Sequence, residues 1–436
     1  MSTRHSDIDK DQGVAPPGNI PQSPWRPPRS KRSYWFAVAA VSFVVVLIFS
    51  VFALVIAQQG QHPSNQVTPT PTAPRATVTT TPGSDITPSP IPDVTQGPQN
   101  GPPGVNTPAY WDTIIGTQGT DRKVESVSFA NVLGNPTLQA LVMLRHSNTN
   151  GTLDAYVFDK ITSSKPTLIF KLSGLIKGDA KISHYNSILT AEVDQHSALN
   201  AGKPVAQCTP DLFREFAWNG VSLSQVAFPG IFPDLTRYQA EADQAQVNAG
   251  HASWKNDPTQ VAKALAGQFF GWQRTATAKL LSGGGSQDVD ATVQVQEAPV
   301  EGAQGQGPSA MVTLSRLEGN THNMWVAIAV KDGTMLTLTN IPARSLITSP
   351  VTLVGTGSAF EAVIGQAVVY DHLYTDIGHA QVTGSNGMGI VSYSTKVTYT
   401  SSFKGVQEGM VAVYEANGGI SSENYSAVMV KVLISA

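Results

Sequence analysis

Four side chains with metal-binding or proton-transfer chemistry lie close together in the stretch DHLYTDIGH. They are Asp371, His372, Asp376 and His379. Imidazole and carboxylate groups are donors that zinc and similar ions accept. The spacing matches no fixed metal-ligand motif, however, and Asp, His and Gly are ordinary residues of turns. We therefore expect a loop between two strands, in which replacing both histidines barely changes stability. We assign no catalytic residue, cofactor or metal, and these four side chains are the candidates should a metal bind.

Other stretches contain fragments of catalytic motifs. A nucleophile elbow needs Gly-x-Ser-x-Gly between a strand and a helix, whereas Ser358 follows Gly357 directly and precedes a predicted strand. Ser401 and Lys404 have a Ser-x-x-Lys spacing, but their segment is typical of strand and turn rather than of helix. The glycine-rich stretch 282–286 lacks the Gly-Lys-Ser/Thr ending of a phosphate loop. The sequence therefore predicts no enzyme.

Charge and cysteine content exclude several classes of partner. The formal net charge is -3, so no global basic field exists to hold nucleic acid. The single cysteine, Cys208, excludes an intrachain disulfide and a cysteine-rich zinc site. We expect Cys208 to be a small buried apolar residue.

A membrane anchor is predicted at residues 35–57, which carry no charge. At 1.5 Å per residue this segment covers roughly 34 Å, enough to cross a hydrocarbon core of about 30 Å. Basic residues directly before it indicate that the N-terminus is cytoplasmic, namely Arg26, Arg29, Lys31 and Arg32. We expect a polar cytoplasmic tail at 1–34, a single membrane helix, and everything beyond it outside the cytoplasm. Residues 58–106 are rich in Pro and Thr and predict a disordered, extended linker.

Residues 107–232 predict a β-rich domain. Short β-branched or aromatic runs alternate with turn residues, as in successive antiparallel strands, and Asn219-Gly220 is suited to a hairpin turn. This strand and loop rhythm resembles the FG-GAP type of extracellular repeat. Members of that family hold calcium with loop carboxylates, but the matching loop here, NVLGNPTLQ, has none, so the resemblance implies no calcium site.

Residues 233–344 predict a small α+β domain. Asp257 is suited to cap a helix that begins at Pro258. Val261, Leu265 and Phe269 then share one face. Several strands follow, so helices should cover one face of an antiparallel sheet. We expect Trp325 in the core.

Residues 346–436 predict a β-sandwich because short alternating strands follow one another between turns. The apolar stretch VTLVGTGSAFEAVIGQAVVYD is interpreted as two core strands joined by a tight connection at Thr356-Gly357-Ser358. The alternation predicts inward-facing core residues, namely Phe360, Val397, Tyr399, Val413 and Val430.

The C-terminal region resembles the bacterial spore germination immunoglobulin-like domain family. The matching features are ITSPVTLVGTGSAFEAVI, then SYSTKVTYT, GMVAVYEANGG and the closing AVMVKVLI. They cover about a fifth of the chain. The resemblance implies an immunoglobulin-like β-sandwich attached to the cell envelope, a context of sporulation or germination, and no catalytic residues.

Taken together, these patterns predict a mainly β, multi-domain, membrane-anchored envelope protein with non-enzymatic binding or scaffolding modules. Its partners would be the membrane, through residues 35–57, and an envelope protein or polysaccharide. Two alternatives stay open. One is an enzyme acting on cell wall or polysaccharide, which would need two carboxylates about 5 to 9.5 Å apart in a cleft. The other is a signalling protein whose cytoplasmic tail docks a partner.

Overall fold

The protein was analysed as a computed structural model. It describes residues 97–147, 150–272, 276–299, 307–318, 323–331, 335–385, 387–416 and 426–435. Chain contacts define two units, Met1–Thr87 and Pro88–Ala436, and every described residue belongs to the second. The predicted tail 1–34, membrane helix 35–57 and first part of the linker lie outside the described residues. Within the described ranges, no helix combines the length and apolar character needed to cross a membrane.

The described residues are mainly β, with 46% in strands and 13% in helices, which confirms the predicted class. The helices are α1 (Pro108–Ile115), α2 (Arg237–Asn248) and α3 (Pro258–Phe270). The first eight strands are β1 (Arg122–Ala130), β2 (Gln139–His146), β3 (Leu153–Asp159), β4 (Thr167–Leu175), β5 (Asp179–Ile182), β6 (Ile188–Glu192), β7 (Leu212–Trp218) and β8 (Leu223–Val226). The remaining strands are β9 (Thr277–Gly283), β10 (Asp290–Gln296), β11 (Ser309–Ser315), β12 (Val326–Lys331), β13 (Ser345–Thr348), β14 (Val351–Phe360), β15 (Val363–Tyr370), β16 (Asp376–Thr383), β17 (Met388–Val397), β18 (Val406–Glu415) and β19 (Ser426–Ser435).

The first eight strands form two antiparallel four-stranded sheets, β1-β2-β3-β4 and β5-β6-β7-β8. The predicted hairpin turn lies between β7 and β8, where Gly220 has a φ of 97° and Asn219 Oδ1 accepts two backbone N–H groups. Residues 97–106, placed in the linker by the sequence, pack against β1. The Gln99 N–H donates to the Phe129 carbonyl at 2.7 Å, and Val105 is buried.

An eleven-stranded sheet takes in the rest of the described chain, with the main order β17-β14-β15-β18-β19-β12-β11-β10-β9. Strand β14 meets β15 only at Phe360 and Val363, so β14 and β17 fold over as a second layer. These sandwich-like layers enclose an apolar core. A second core lies between α3 and strands β10 to β12, and it also takes in Met410 and Met429 from β18 and β19. Apolar packing is therefore continuous across the predicted boundary at 344–346, and the three predicted domain ranges stay predictions.

The predicted connection at Thr356-Gly357-Ser358 is wrong, because β14 continues unbroken through it to Phe360. The reversal occurs at Glu361 and Ala362, both of which have positive φ. Gly357 is needed for packing rather than for turning, since a Cβ there would lie 2.6 Å from the Ile364 side chain. Alternation along the uninterrupted strand places Ala359 inward and Phe360 outward, with 54% of Phe360 exposed.

The other predicted core residues follow the pattern more closely. Val397, Tyr399 and Val413 are buried, as predicted, and Val430 is half-buried against the same cluster. Trp325 is fully buried, and Cys208 is 2% exposed. The alternation that includes Val397 and Tyr399 was therefore interpreted in the correct phase.

Helix α3 forms as its sequence predicts. The Asp257 side chain accepts the Thr259 N–H, Pro258 occupies the first turn, and Gly271 ends the helix in a left-handed conformation. Val261, Leu265 and Phe269 are buried on one face. This face packs on the sheet, which leaves the opposite face of α3 to solvent.

Phe360 and Leu353 provide a direct test of the strand phase. Leu353 is fully buried in the sandwich core, so Leu353→Ala should lower the free energy of unfolding by about 2 to 5 kcal/mol. Phe360→Ala should change it by no more than about 0.5 kcal/mol, since the ring is mostly in water. The measurement is the urea midpoint of the Pro88–Ala436 unit. A large loss for Phe360→Ala would contradict the observed strand phase.

Candidate functional site

The four residues singled out by the sequence separate into two pairs that point apart. Asp376 and His379 are exposed, and the His379 Nδ1 lies 2.8 Å from the Asp376 carboxylate. Asp371 and His372 are buried. Asp371 and His372 lie in the predicted loop between β15 and β16, whereas Asp376 and His379 lie within β16. The burial of His372 was not predicted. Across the described ranges, no group of three or more His, Cys, Asp and Glu side chains is arranged to hold a metal ion.

Asp371 is buried because it organises the turn between β15 and β16. Its Oδ1 accepts the N–H groups of Leu373 and Thr375 at 2.8 and 2.9 Å. This turn also positions Tyr374, whose hydroxyl lies within hydrogen-bond distance of the carbonyls of Ile231 and Pro233. The loop is therefore a docking element between the C-terminal strands and the segment before α2.

His372 occupies a sealed polar position between β18 and the loop before β7. Its Nε2 lies 3.8 Å from Asp211 Oδ2, an ion-pair distance too long for a hydrogen bond. Its Nδ1 bonds the side-chain oxygen of Gln407, and the Ser197 hydroxyl donates to Asp211. Ser, His and Asp are the residue types of an acyl-transfer triad, but there the serine must contact the histidine. Here it contacts the aspartate, and the His372 and Asp211 side chains are only 0% and 1% exposed, so this cluster is structural.

The pKa values of His372 and Asp211 are shifted in the directions that favour a protonated imidazole and an ionised carboxylate. Burial lowers the pKa of His372, but the carboxylates of Asp211 and Asp371 outweigh burial and leave that pKa raised. Burial also raises the pKa of Asp211, yet its bonds to neighbouring donors and the nearby imidazole hold the pKa below its usual value. The ion pair therefore contributes to stability while His372 is protonated.

A second buried ion pair lies deeper along the same junction. Glu408 of β18 and Lys431 of β19 are 2.8 Å apart, with side chains 0% and 1% exposed. Glu408 also accepts the Phe228 N–H at 3.1 Å, and the Lys431 ammonium donates to the Leu235 carbonyl. Burial raises the pKa of Glu408 to about 7, and Lys431 opposes this shift.

Arg237 extends the junction to a third partner. Its Nε donates to Glu215 of β7 at 2.9 Å, and its second nitrogen donates to Glu318 at 2.7 Å. We call the charged residues of this junction the polar seam: Asp211, Glu215, Arg237, Glu318, His372, Glu408 and Lys431. Its side chains are paired in buried ion pairs, so the polar seam can position elements but cannot reach a substrate.

An open groove runs along the outer face of α3. Its volume is about 600 Å³, and its lining is Trp254, Gln260, Lys263, Ala264, Gly267, Gln268 and Trp272. We call it the α3 groove. The lining residues of α3 recur at spacings of three and four, which places them on one face of the helix. Ala264 and Gly267 supply a floor of small residues, and polar side chains stand at both ends.

Trp254 forms the wall of the α3 groove. It lies in a short 3-10 turn just before α3. The ring centroids of Phe232 and Trp254 are 6.3 Å apart, and the Lys255 ammonium lies 5.6 Å from the Trp254 ring centroid. Trp254 is 36% exposed. The wall therefore offers part of an amphipathic indole to a ligand.

Lys263 gives the α3 groove its charge. Among the described residues it has no carboxylate within ion-pair distance, and the groove lining includes no Asp, Glu, His, Ser or Cys. A second cavity of about 490 Å³ near Glu125 differs in this respect. There Arg145 is bonded to Glu125 and two carbonyls, and Lys177 donates to the carbonyls of Ala206 and Cys208. Of the cations that line these two cavities, Lys263 is therefore the one whose ammonium has no bonded partner among the described residues.

Replacing His372 tests its structural role. His372→Gln should lower the free energy of unfolding by about 1 to 3 kcal/mol, because the buried Asp211 carboxylate loses its ion-pair partner. Because the pKa of His372 is higher in the folded protein than in the unfolded chain, its protonation stabilises the fold. This stabilisation is complete below the unfolded-state pKa of about 6.5 and is lost as the pH rises through the folded-state pKa. The deficit of His372→Gln should therefore be larger at pH 5.5 than at pH 9. Exposed His379→Gln is the matched control and should stay near wild type, and equal midpoints for the two variants would contradict the assignment.

Lys431 tests the deeper ion pair. Lys431→Met leaves Glu408 buried without a partner, which should lower the free energy of unfolding by about 3 to 5 kcal/mol. The loss should be smaller at pH 5 than at pH 8, because an acid with a raised pKa is protonated and neutral at the lower pH. Adding Glu408→Gln should restore part of the stability. Exposed Lys396→Met is the control, and urea midpoints give the measurement; a loss independent of pH would show that Glu408 is not the source.

The comparisons with known proteins leave the site to be interpreted from its geometry. No protein-family model matches the chain, and no curated protein matches it. The resemblance of the C-terminal region to the spore germination immunoglobulin-like family therefore stays a hypothesis. What the described residues provide is a sealed polar seam and an open, cation-bearing groove.

Proposed function

We propose that this chain is a membrane-anchored protein of the bacterial cell envelope that acts by binding or scaffolding, without catalysis. The anchor is the uncharged segment 35–57, with basic residues on its N-terminal side. The linker beyond it carries the Pro88–Ala436 unit outside the cytoplasm. Its ligand is an envelope component, either a protein or a polysaccharide.

One observation carries the binding role: the lining of the α3 groove contains no carboxylate, imidazole, hydroxyl or thiol, and the cluster of Ser197, Asp211 and His372 is closed to a ligand. The His372 and Asp211 side chains are 0% and 1% exposed. The α3 groove instead presents an indole, amides and an ammonium. Such a lining can recognise a ligand and cannot transfer a proton from a carboxyl group. A polysaccharide-cleaving enzyme would need two carboxylates in its cleft, so the α3 groove favours recognition.

The architecture supports an envelope location by analogy. The strands β13 to β19 form sandwich-like layers, which are consistent with an immunoglobulin-like fold. In the family that the C-terminal sequence resembles, such domains sit at the envelope. The two antiparallel four-stranded sheets of β1 to β8 have the meander arrangement of a propeller blade, in line with the proposed extracellular repeat. A role near sporulation or germination rests on the resemblance alone.

Membrane topology tests the location. Protease added to intact cells, after any outer layer is made permeable, should digest a tag placed after Ala436 and spare a tag placed before Met1. The physical reason is that basic residues before an apolar span stay in the cytoplasm. The measurement is immunoblotting of both tags in intact and lysed cells. A C-terminal tag protected until lysis would overturn the orientation, and a mature chain starting near Gln58 would replace the anchor with a cleaved signal.

The binding role has its own test. The full-length protein in detergent should sediment with purified cell-wall sacculi or co-purify with envelope proteins after mild cross-linking. Hydrolysis of the sacculi by the purified protein, measured as released reducing sugar, would support the enzyme alternative instead.

A further inference from the structure

We infer that the α3 groove binds a carboxylated saccharide, that is, a stretch of acidic envelope polysaccharide. This inference rests on the proposed binding role and names the ligand class for it. The shape is the first reason. The lining from Gln260 to Gln268 spans about 12 Å along the helix at 1.5 Å per residue, a length that suits a disaccharide better than a single small ion. The volume of about 600 Å³ lies within the range of small-molecule sites.

The floor and wall favour a ring-shaped ligand with apolar faces and polar edges. Ala264 and Gly267 let a ligand approach the helix surface closely. The partly exposed indole of Trp254 lies beside them. Sugar rings present C–H faces that pack on an aromatic surface and hydroxyls that face outward. The amides of Gln260 and Gln268 both donate and accept hydrogen bonds, which matches hydroxyl groups at either end.

The charge selects among saccharides. Lys263 stands in the groove without an ion-pair partner among the described residues, and no carboxylate lines the groove. A bound anion would therefore gain attraction without breaking an existing pair. Lys255, which follows the groove residue Trp254 in sequence, is by contrast already paired with Asp243. A carboxylate-bearing sugar satisfies Lys263, whereas a neutral sugar leaves its charge unused.

A proline-rich peptide is the competing occupant. Recognition of polyproline helices uses grooves lined by several aromatic ridges. Here Trp272, the second indole of the lining, is buried to 1% exposure and presents no open face, so Trp254 is the accessible aromatic ring of the lining. The groove is thus better suited to a sugar than to the prolines of the linker.

The test titrates the full-length protein in detergent by isothermal calorimetry. The probes are a uronic-acid oligosaccharide, the same oligosaccharide with its carboxylates reduced to alcohols, a muropeptide, and the linker peptide 67–74. We expect the carboxylated probes to bind at least fivefold more tightly than the reduced one, with an advantage that shrinks in high salt. The uronic-acid oligosaccharide and the muropeptide distinguish a uronate source from a peptidoglycan source of the carboxylate.

Gly267 provides the most direct variant. Among the described residues, a Cβ at this position would have the Trp272 carbonyl oxygen as its neighbour, at 3.7 Å. Gly267→Ala should therefore fold normally and bind nearly as wild type, whereas Gly267→Leu should fill the groove and weaken binding at least tenfold at an unchanged melting temperature. Lys263→Gln should remove the preference for carboxylated over reduced probes, and Lys396→Gln, which neutralises an exposed lysine on β17, should not.

Three outcomes would overturn the inference. They are wild-type affinity in Gly267→Leu, no binding of any saccharide up to about 5 mM, and binding of the linker peptide in place of the saccharides. Sedimentation with sacculi separates this failure from that of the proposed function. If wild type and Gly267→Leu sediment equally, the binding role stands and the groove assignment is wrong. If neither sediments and no envelope protein is captured, the binding role fails as well.

Discussion

The ion pair between Glu408 and Lys431 fixes how the C-terminal strands meet the rest of the Pro88–Ala436 unit. Both groups are removed from water, so each must keep its partners or leave a buried charge unpaired, which is strongly destabilising. Their other bonds reach the Phe228 N–H and the Leu235 carbonyl. Charge-assisted bonds are directional, and a displaced arrangement of these segments would break several at once. Apolar contact alone would not select one docking geometry so strongly.

This constraint reaches the α3 groove through the helix itself. Phe269 faces inward from α3 and meets the rings of Tyr370 and Tyr374 at 5.8 and 5.3 Å. Tyr374 is placed by the turn that also buries His372, and its hydroxyl holds the chain near Ile231. The inner face of α3 is therefore fixed by the strands that the polar seam locks in place. Its outer face can present small residues to a ligand because the helix does not depend on that face for packing.

Local patterns of the sequence predicted the elements well and their long-range partners poorly. The cap at Asp257 and the alternation of β17 are decided by neighbouring residues, so the sequence predicts them directly. Phe360 shows the limit. Thr356-Gly357-Ser358 was interpreted as a turn, and Phe360 was expected to face inward. Gly357 is required instead by close packing on Ile364, and the sequence alone does not show which side chain faces a glycine.

The polar seam was missed because its partners lie far apart in the sequence. His372 meets Asp211 across 161 positions of sequence, and no local pattern distinguishes a buried charge from a solvated one. Lys263 is one of several lysines among the described residues without an ion-pair partner, and it differs from an exposed surface lysine in lining a groove. It acts over a neutral lining, where no competing carboxylate weakens its attraction for an anion. Selectivity for a weakly charged saccharide can arise from a single lysine in such a setting, because the surrounding indole and amides supply the shape and the hydrogen bonds.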